Sequence, residues 1–217
     1  MTTEHTEDNS PEKVGNSPTF LFDLGGVIVK NGFWDWVNSQ TEDEAQKEAY
    51  RTVIDAADAG SITEEECMQK LGELSHRPST QVSEELTAAY APHEEVVEIL
   101  QELKERKYPL VLVTNFMQGR ANSLLDTHDL RKYFDRVFIS SEMGLAKPSP
   151  EFFRQVNKDL GVRPADEIFI DDSARNIEVG LQEGIQGSLL YTNPNDLRAK
   201  LEERRVLPPA QPSKDQR

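Results

Sequence analysis

With 217 residues, 29% of them charged and 36% apolar, a formal net charge of -15 and an isoelectric point near 4.7, the chain has the length of one domain with room for an insertion. The acidity excludes a nucleic-acid binder, which needs clustered Lys and Arg to neutralise phosphates; no apolar run approaches the ~20 residues of a membrane span, and Cys67, the single cysteine, allows neither an internal disulfide nor a zinc cluster. The acidic, polar start, MTTEHTEDNSPEKVGNSP, has neither the basic nor the apolar stretch of a signal peptide, so a soluble, cytoplasmic protein with no membrane partner is expected.

Residues 1–17 carry almost no large apolar side chains and are expected to form a disordered tail. Thr19–Leu24 (TFLFDL) is a short apolar run stopped by Gly25–Gly26, the pattern of a buried strand and a sharp turn. Residues 31–91 then show helical periodicity only. They include Thr63–Ser75, where Thr63 and Glu66 form a capping box. This helical insertion holds 13 acidic against 4 basic residues, a net of -9, and its charge is expected on a solvated face.

The alternation of strand and helix then begins. An amphipathic helix over Pro92–Lys107 precedes a strand at Pro109–Thr114 (PLVLVT) and a helix at Met117–Thr127. A strand at Arg136–Ser140 leads to a helix at Pro150–Leu160 closed by Gly161. Glu167–Asp171 (EIFID) is a fourth strand, followed by a helix over Ala174–Glu183 and a fifth strand at Ser188–Tyr191. Asn193–Pro194 starts a last helix over Asn195–Arg205, and 207–217, with three prolines, is expected to be a second disordered tail. Strands alternating with helices imply βαβ units and an α/β fold, a Rossmann-like doubly wound parallel sheet. The strands VLV and FLF do not alternate in polarity, which fits a sheet covered on both faces. The core is expected over 18–30 and 92–206, interrupted by the insertion at 31–91.

In open parallel sheets, ligands bind beyond the carboxyl ends of the strands. Those ends carry Asp23, Thr114–Asn115, Lys147–Pro148 and Asp171–Asp172–Ser173. Any one of them could be a cap or turn residue. Together, grouped carboxylates repel unless a cation joins them, and carboxylate oxygens with water suit Mg²⁺, which commonly bridges to a substrate phosphate.

FDLGGVIV, VLVTN, GLAKPSPEFF and IFIDDSARN, in this order, resemble the four motifs of the haloacid dehalogenase superfamily, mostly Mg²⁺-dependent phosphatases, over about Phe20–Tyr191. The insertion resembles that family's small helical cap, and the wording DLGGVIV is most similar to its sugar-phosphatase and epoxide-hydrolase-type branch. The resemblance implies that Asp23 is a nucleophile forming an aspartyl-phosphate, that Thr114 and Asn115 bind the phosphoryl group, and that Lys147 neutralises its charge. It implies that Asp23, the Gly25 carbonyl and Asp172 hold Mg²⁺ with Asp171 behind them, and that Gly26 permits the turn bringing amides to the phosphate. Asn176, one turn into the following helix, either orients Asp172 or serves packing alone. The implied substrate is a small phosphorylated metabolite, a sugar phosphate.

The departure is Gly25, where the family's phosphatases usually have a second Asp as general acid and base. Such help is worth ~10²–10⁴-fold. Other members of the branch also have glycine there; His76 and His93 are candidate substitutes, and a positive φ is one reason for a glycine. Two alternatives stay open: a metal-free haloacid dehalogenase, and a catalytically silent protein using the fold for binding. Phe33, Trp34 and Trp36 either line the pocket or form the insertion's core. Arg51 and Arg77 either bind an anion or form surface ion pairs, and Cys67 is expected to be a buried, unreactive side chain.

Overall fold

The computed structural model describes residues 17–209, so most of both expected tails lies outside the described residues. Leu207, assigned to the second tail by its composition, is buried, with its N–H donating to the Leu201 carbonyl.

Five parallel strands form one sheet: β1 (Thr19–Phe22), β2 (Leu110–Thr114), β3 (Arg136–Ile139), β4 (Glu167–Asp171) and β5 (Leu189–Leu190), in the order β3-β2-β1-β4-β5. Side chains along a strand point alternately to opposite faces, and here both faces are apolar. Phe20 and Phe22 of β1, Leu110 and Leu112 of β2, and Ile168 and Ile170 of β4 enter one cluster. Leu21, Val111, Val113 and Phe169 enter the other with Phe152 and Phe153. Phe169 meets Phe153 edge-on, with ring centroids 5.3 Å apart. This two-sided burial explains why the strands read as unbroken apolar runs. Several strands end earlier than the apolar runs: β1 stops at Phe22, and Ser140 already opens a short helix.

Four helices lie between β1 and the rest: α1 (Gly32–Gln40), α2 (Glu44–Asp58), α3 (Glu64–Ser75) and α4 (Ser79–Ala89). The capping box of α3 is formed: Thr63 Oγ1 accepts from the Glu66 N–H at 3.1 Å and Glu66 returns a carboxylate oxygen to the Thr63 N–H at 2.8 Å. The remaining helices are α5 (Glu94–Glu105), α6 (Gln118–Thr127), α7 (Ser140–Met143), α8 (Pro150–Leu160), α9 (Ala174–Gln182) and α10 (Pro194–Glu203). Gly161 closes α8 at φ +66 and Asn193 caps α10 through the Asp196 N–H. No helix among the described residues is long and apolar enough to cross a membrane.

Chain order reverses between β1 and β4. The crevice outside their carboxyl ends is therefore where an open α/β sheet binds its ligand, and Asp23 and Asp171 stand on its two sides.

Candidate functional site

The carboxyl ends of β1, β2 and β4 bring Asp23, Thr114 and Asp171 together, and Lys147 reaches in from the loop after α7. Its ammonium lies 3.0 Å from Asp23 Oδ1 and 2.6 Å from Asp171 Oδ2, and donates to the Val113 carbonyl at 2.9 Å. Burial alone would push this ammonium down, but Asp171 and Asp23 more than offset it, so its pKa stands above the usual lysine value. Burial pushes the Asp23 carboxyl up to about 7; Lys147 opposes the rise, while Asp171 and Asp172 add to it.

Carboxylate oxygens of Asp23, Asp171 and Asp172 all lie within 4.8 Å of one another. Lys147 compensates one of the three charges, leaving the donor set for a hard divalent cation such as Mg²⁺. The three differ in what else holds them. Asp171 is fully buried and saturated: besides Lys147 it accepts from the Ser173 N–H at 2.8 Å and from Asn176 Nδ2 at 2.9 and 3.1 Å. Asp172 keeps solvent contact; partial burial and then the Asp171 charge nevertheless hold its carboxyl above the usual range, with Lys147 and the Asn31 amide opposing the rise.

Gly26 makes the close approach possible. It sits at φ +76, and a Cβ there would stand 2.2 Å from Asp172 Oδ2. Gly25 has no such constraint: its φ lies outside the left-handed region, and a Cβ would meet only the Phe116 ring at 3.5 Å. The positive φ expected of Gly25 belongs to its neighbour.

Thr114 is fully buried, and its hydroxyl is one of the few buried polar groups with no protein partner among the described residues. Such an orphan costs about 1–3 kcal/mol unless something accepts from or donates to it. Asn115 lines the cavity beside Asp23, and its amide is also engaged with the backbone of Lys147. Its Nδ2 donates to the Lys147 carbonyl at 2.7 Å and its Oδ1 accepts from the Lys147 N–H at 2.9 Å, so both ends of the amide hold Lys147, which precedes a cis peptide to Pro148. Asn176 likewise grips Asp171 and not Asp172, because one turn into α9 its amide faces back along β4.

A cavity of about 360 Å³ opens above these groups, walled on its far side by α1 and α2. Phe33, Trp34 and Arg51 line it, with the Arg51 guanidinium 4.9 Å above the Trp34 ring. Trp36 instead packs edge-on against Tyr50 inside the insertion, 5.4 Å between centroids, and its indole donates to Glu85. Arg77 also pairs with Glu85, at 2.6 Å, away from the cavity. His76 ends α3 in a left-handed conformation and His93 precedes α5 beside Tyr191; neither lines the cavity. Cys67 is buried, and its thiol is pushed up to about 12 by burial first and by Asp58. Two cavity residues that the sequence did not single out are Asp55 and Asp58. Nothing local marks them among the 13 acids of the insertion.

A family model described as haloacid dehalogenase-like hydrolase matches residues 18–184. A sesquiterpene phosphatase of Aspergillus oryzae is 25% identical over 175 residues, covering 77% of this chain and 86% of that protein. A D-ribitol-5-phosphate phosphatase of Bacteroides thetaiotaomicron is 27% identical, covering 76% and 88%. Among solved structures, the HAD-family enzyme BT-2542 of Bacteroides thetaiotaomicron, in complex with magnesium and inorganic phosphate, shares the fold with a TM-score of 0.66 at 23% identity, covering 82% of this chain and 95% of that one. An L-2-haloacid dehalogenase of Xanthobacter autotrophicus shares it at 0.61 and 17%, covering 88% and 85%.

Proposed function

This chain belongs to the haloacid dehalogenase-like hydrolases, and we propose that it is a Mg²⁺-dependent phosphatase of small phosphomonoesters, sugar phosphates foremost. The observation that carries this reading is the set of three carboxylates within 4.8 Å, compensated by one buried lysine at the crevice of the sheet.

Asp23 and Asp172, with the Gly25 carbonyl, would hold Mg²⁺. When bound, the ion neutralises charge on the phosphoryl oxygens and the attacking carboxylate. Asp171 serves from behind, its oxygens engaged with Lys147, Ser173 and Asn176. Asp23 attacks phosphorus: a bond forms from its carboxylate oxygen as the ester P–O bond breaks, leaving an aspartyl-phosphate that water then hydrolyses. Lys147 holds Asp23 in place and offsets negative charge in the transition state. The Thr114 hydroxyl, without a protein partner, donates to a phosphoryl oxygen, and Asn115 fixes the Lys147 backbone. The insertion acts as a cap, with Phe33, Trp34 and Arg51 facing the non-reacting part of the substrate. Relatives that hydrolyse D-ribitol 5-phosphate and glyceraldehyde 3-phosphate by name support a small phosphorylated substrate.

The test is phosphate release from a panel of sugar phosphates, with Mg²⁺ and with EDTA, for the wild type and Asp23→Asn. Release is expected only from the wild type with Mg²⁺. Full turnover in EDTA or by Asp23→Asn overturns the mechanism. Halide released from chloroacetate without metal, and no phosphate, favours a dehalogenase; neither product favours a binding role.

A further inference from the structure

The family's acid–base position is a glycine here, yet the cavity above it is walled by a carboxyl group from the insertion. Resting on the phosphatase reading above, we propose that Asp58, the last residue of α2, is the catalytic proton donor and acceptor that a carboxylate at residue 25 would otherwise be.

Asp58 lines the same cavity as Asp23, Gly25 and Phe116. It belongs to the insertion but is fastened to the core through its backbone. Its backbone carbonyl accepts from the buried Ser140 hydroxyl, which itself accepts from the Phe116 N–H at 3.0 Å. The Met117 N–H is near enough to its carboxyl to favour the charged form. The loop after β2 thus holds Asp58 while its Phe116 ring stands 3.5 Å from the place of a Cβ on Gly25.

The groups facing Asp58 suit a proton carrier. Asp55 lies one turn earlier on α2 and Asp23 across the cavity, which Tyr90 also lines; Tyr90 and Cys67 of α3 feel the Asp58 charge, and burial first, then that charge, keeps both neutral. Burial first, then Asp55 and Asp23, push the Asp58 carboxyl up to about 8, against the pull of the Met117 N–H. It therefore carries a proton near neutral pH, where general acids work best. His76 and His93 do not reach the cavity.

In the first half-reaction Asp58 gives its proton to the bridging ester oxygen as that oxygen takes the electron pair of the breaking P–O bond, and the phosphoryl group joins Asp23. In the second, the Asp58 carboxylate takes a proton from the water whose oxygen attacks phosphorus. The Asp23 oxygen leaves with the bonding pair, phosphate departs and Asp58 is again protonated. The sum is ester plus water to alcohol plus phosphate.

The experiment compares the wild type, Asp58→Asn and Gly25→Asp/Asp58→Asn with a sugar phosphate and with p-nitrophenyl phosphate, in Mg²⁺. A nitrophenolate leaves without protonation, so Asp58→Asn should still give a burst of one nitrophenolate per enzyme, followed by slow turnover as the aspartyl-phosphate waits for its base. Sugar-phosphate turnover should fall ~10²–10⁴-fold without a burst, and the basic limb of its pH profile should vanish. The double variant, which a Cβ at residue 25 allows, should regain about tenfold or more. Sugar-phosphate turnover by Asp58→Asn within about threefold of the wild type overturns the proposal, as does an equal loss with both esters that Gly25→Asp does not relieve. A wild type that releases phosphate from neither ester overturns the phosphatase reading itself, and the proposal with it.

Discussion

Lys147 Nζ lies 2.6 Å from Asp171 Oδ2, and both side chains are essentially sealed from solvent. A buried pair of this kind is costly to break from one side, because the remaining charge has neither water nor partner; about 3–5 kcal/mol is typical. Lys147→Met should therefore lower stability by about that amount as well as abolish turnover. Adding Asp171→Asn should return part of the stability but none of the activity. Thermal unfolding of both variants checks this, and an unchanged Tm in Lys147→Met counts against it.

Adjacent glycines should respond differently to alanine. Gly26→Ala forces a side chain into a left-handed backbone and against Asp172 Oδ2. It should lose about 1 kcal/mol or more of stability and weaken Mg²⁺ binding at least tenfold by calorimetric titration. Gly25→Ala meets ordinary van der Waals contact, and its Tm should stay within about 2 °C of the wild type. Equal losses would show that the turn is not limited by Gly26.

Arg120 of α6 is a core residue whose guanidinium is buried against the insertion. It donates to Thr87 Oγ1 and Ser83 Oγ at 3.0 Å each and lies 3.1 Å from Glu64 Oε1. Charge-assisted bonds of this kind contribute roughly 1.5–3 kcal/mol each at most, so Arg120→Met should cost about 2–4 kcal/mol. It should also raise KM more than it lowers kcat, because it loosens the cavity wall without touching the reacting atoms. Limited proteolysis should cut sooner within 31–91; an unchanged cleavage pattern would refute the strapping role.

Glu167 is buried at the start of β4, and burial first, then Asp166, push its carboxyl up to about 8. The Asn157 side-chain amide faces this carboxyl at 3.0 and 3.1 Å. The folded state thus holds this proton more tightly than the unfolded one. The stability it confers is full below the unfolded carboxylate range, falls as pH rises from about 4.5 towards 8, and is flat above. Glu167→Gln removes the titration. Its Tm at pH 8 should exceed the wild type's by several degrees, with little difference at pH 4.5. A larger gain at low pH would reverse the sign and refute the assignment.

Much of the site was legible in the sequence because its determinants are local. Asp23, Thr114 and Asp171 are expected at one edge since parallel strands with helical crossovers put all their carboxyl ends on the same side, and the turn at Gly25–Gly26 is written in residues that tolerate it. The capping box of α3 and the ends of α8 and α10 are likewise set within a few residues of chain. The docking of the insertion decides the rest. That Arg51 faces the cavity while Arg77 does not, that His76 and His93 stand aside, and that Asp58 comes to rest beside Phe116 depend on which helix face meets the core. Helical period shows which residues share a face, not what that face meets. The choice of Asn176 between two adjacent carboxylates was decided the same way: both sit at the end of β4, and only the packing of α9 determines which one its amide reaches.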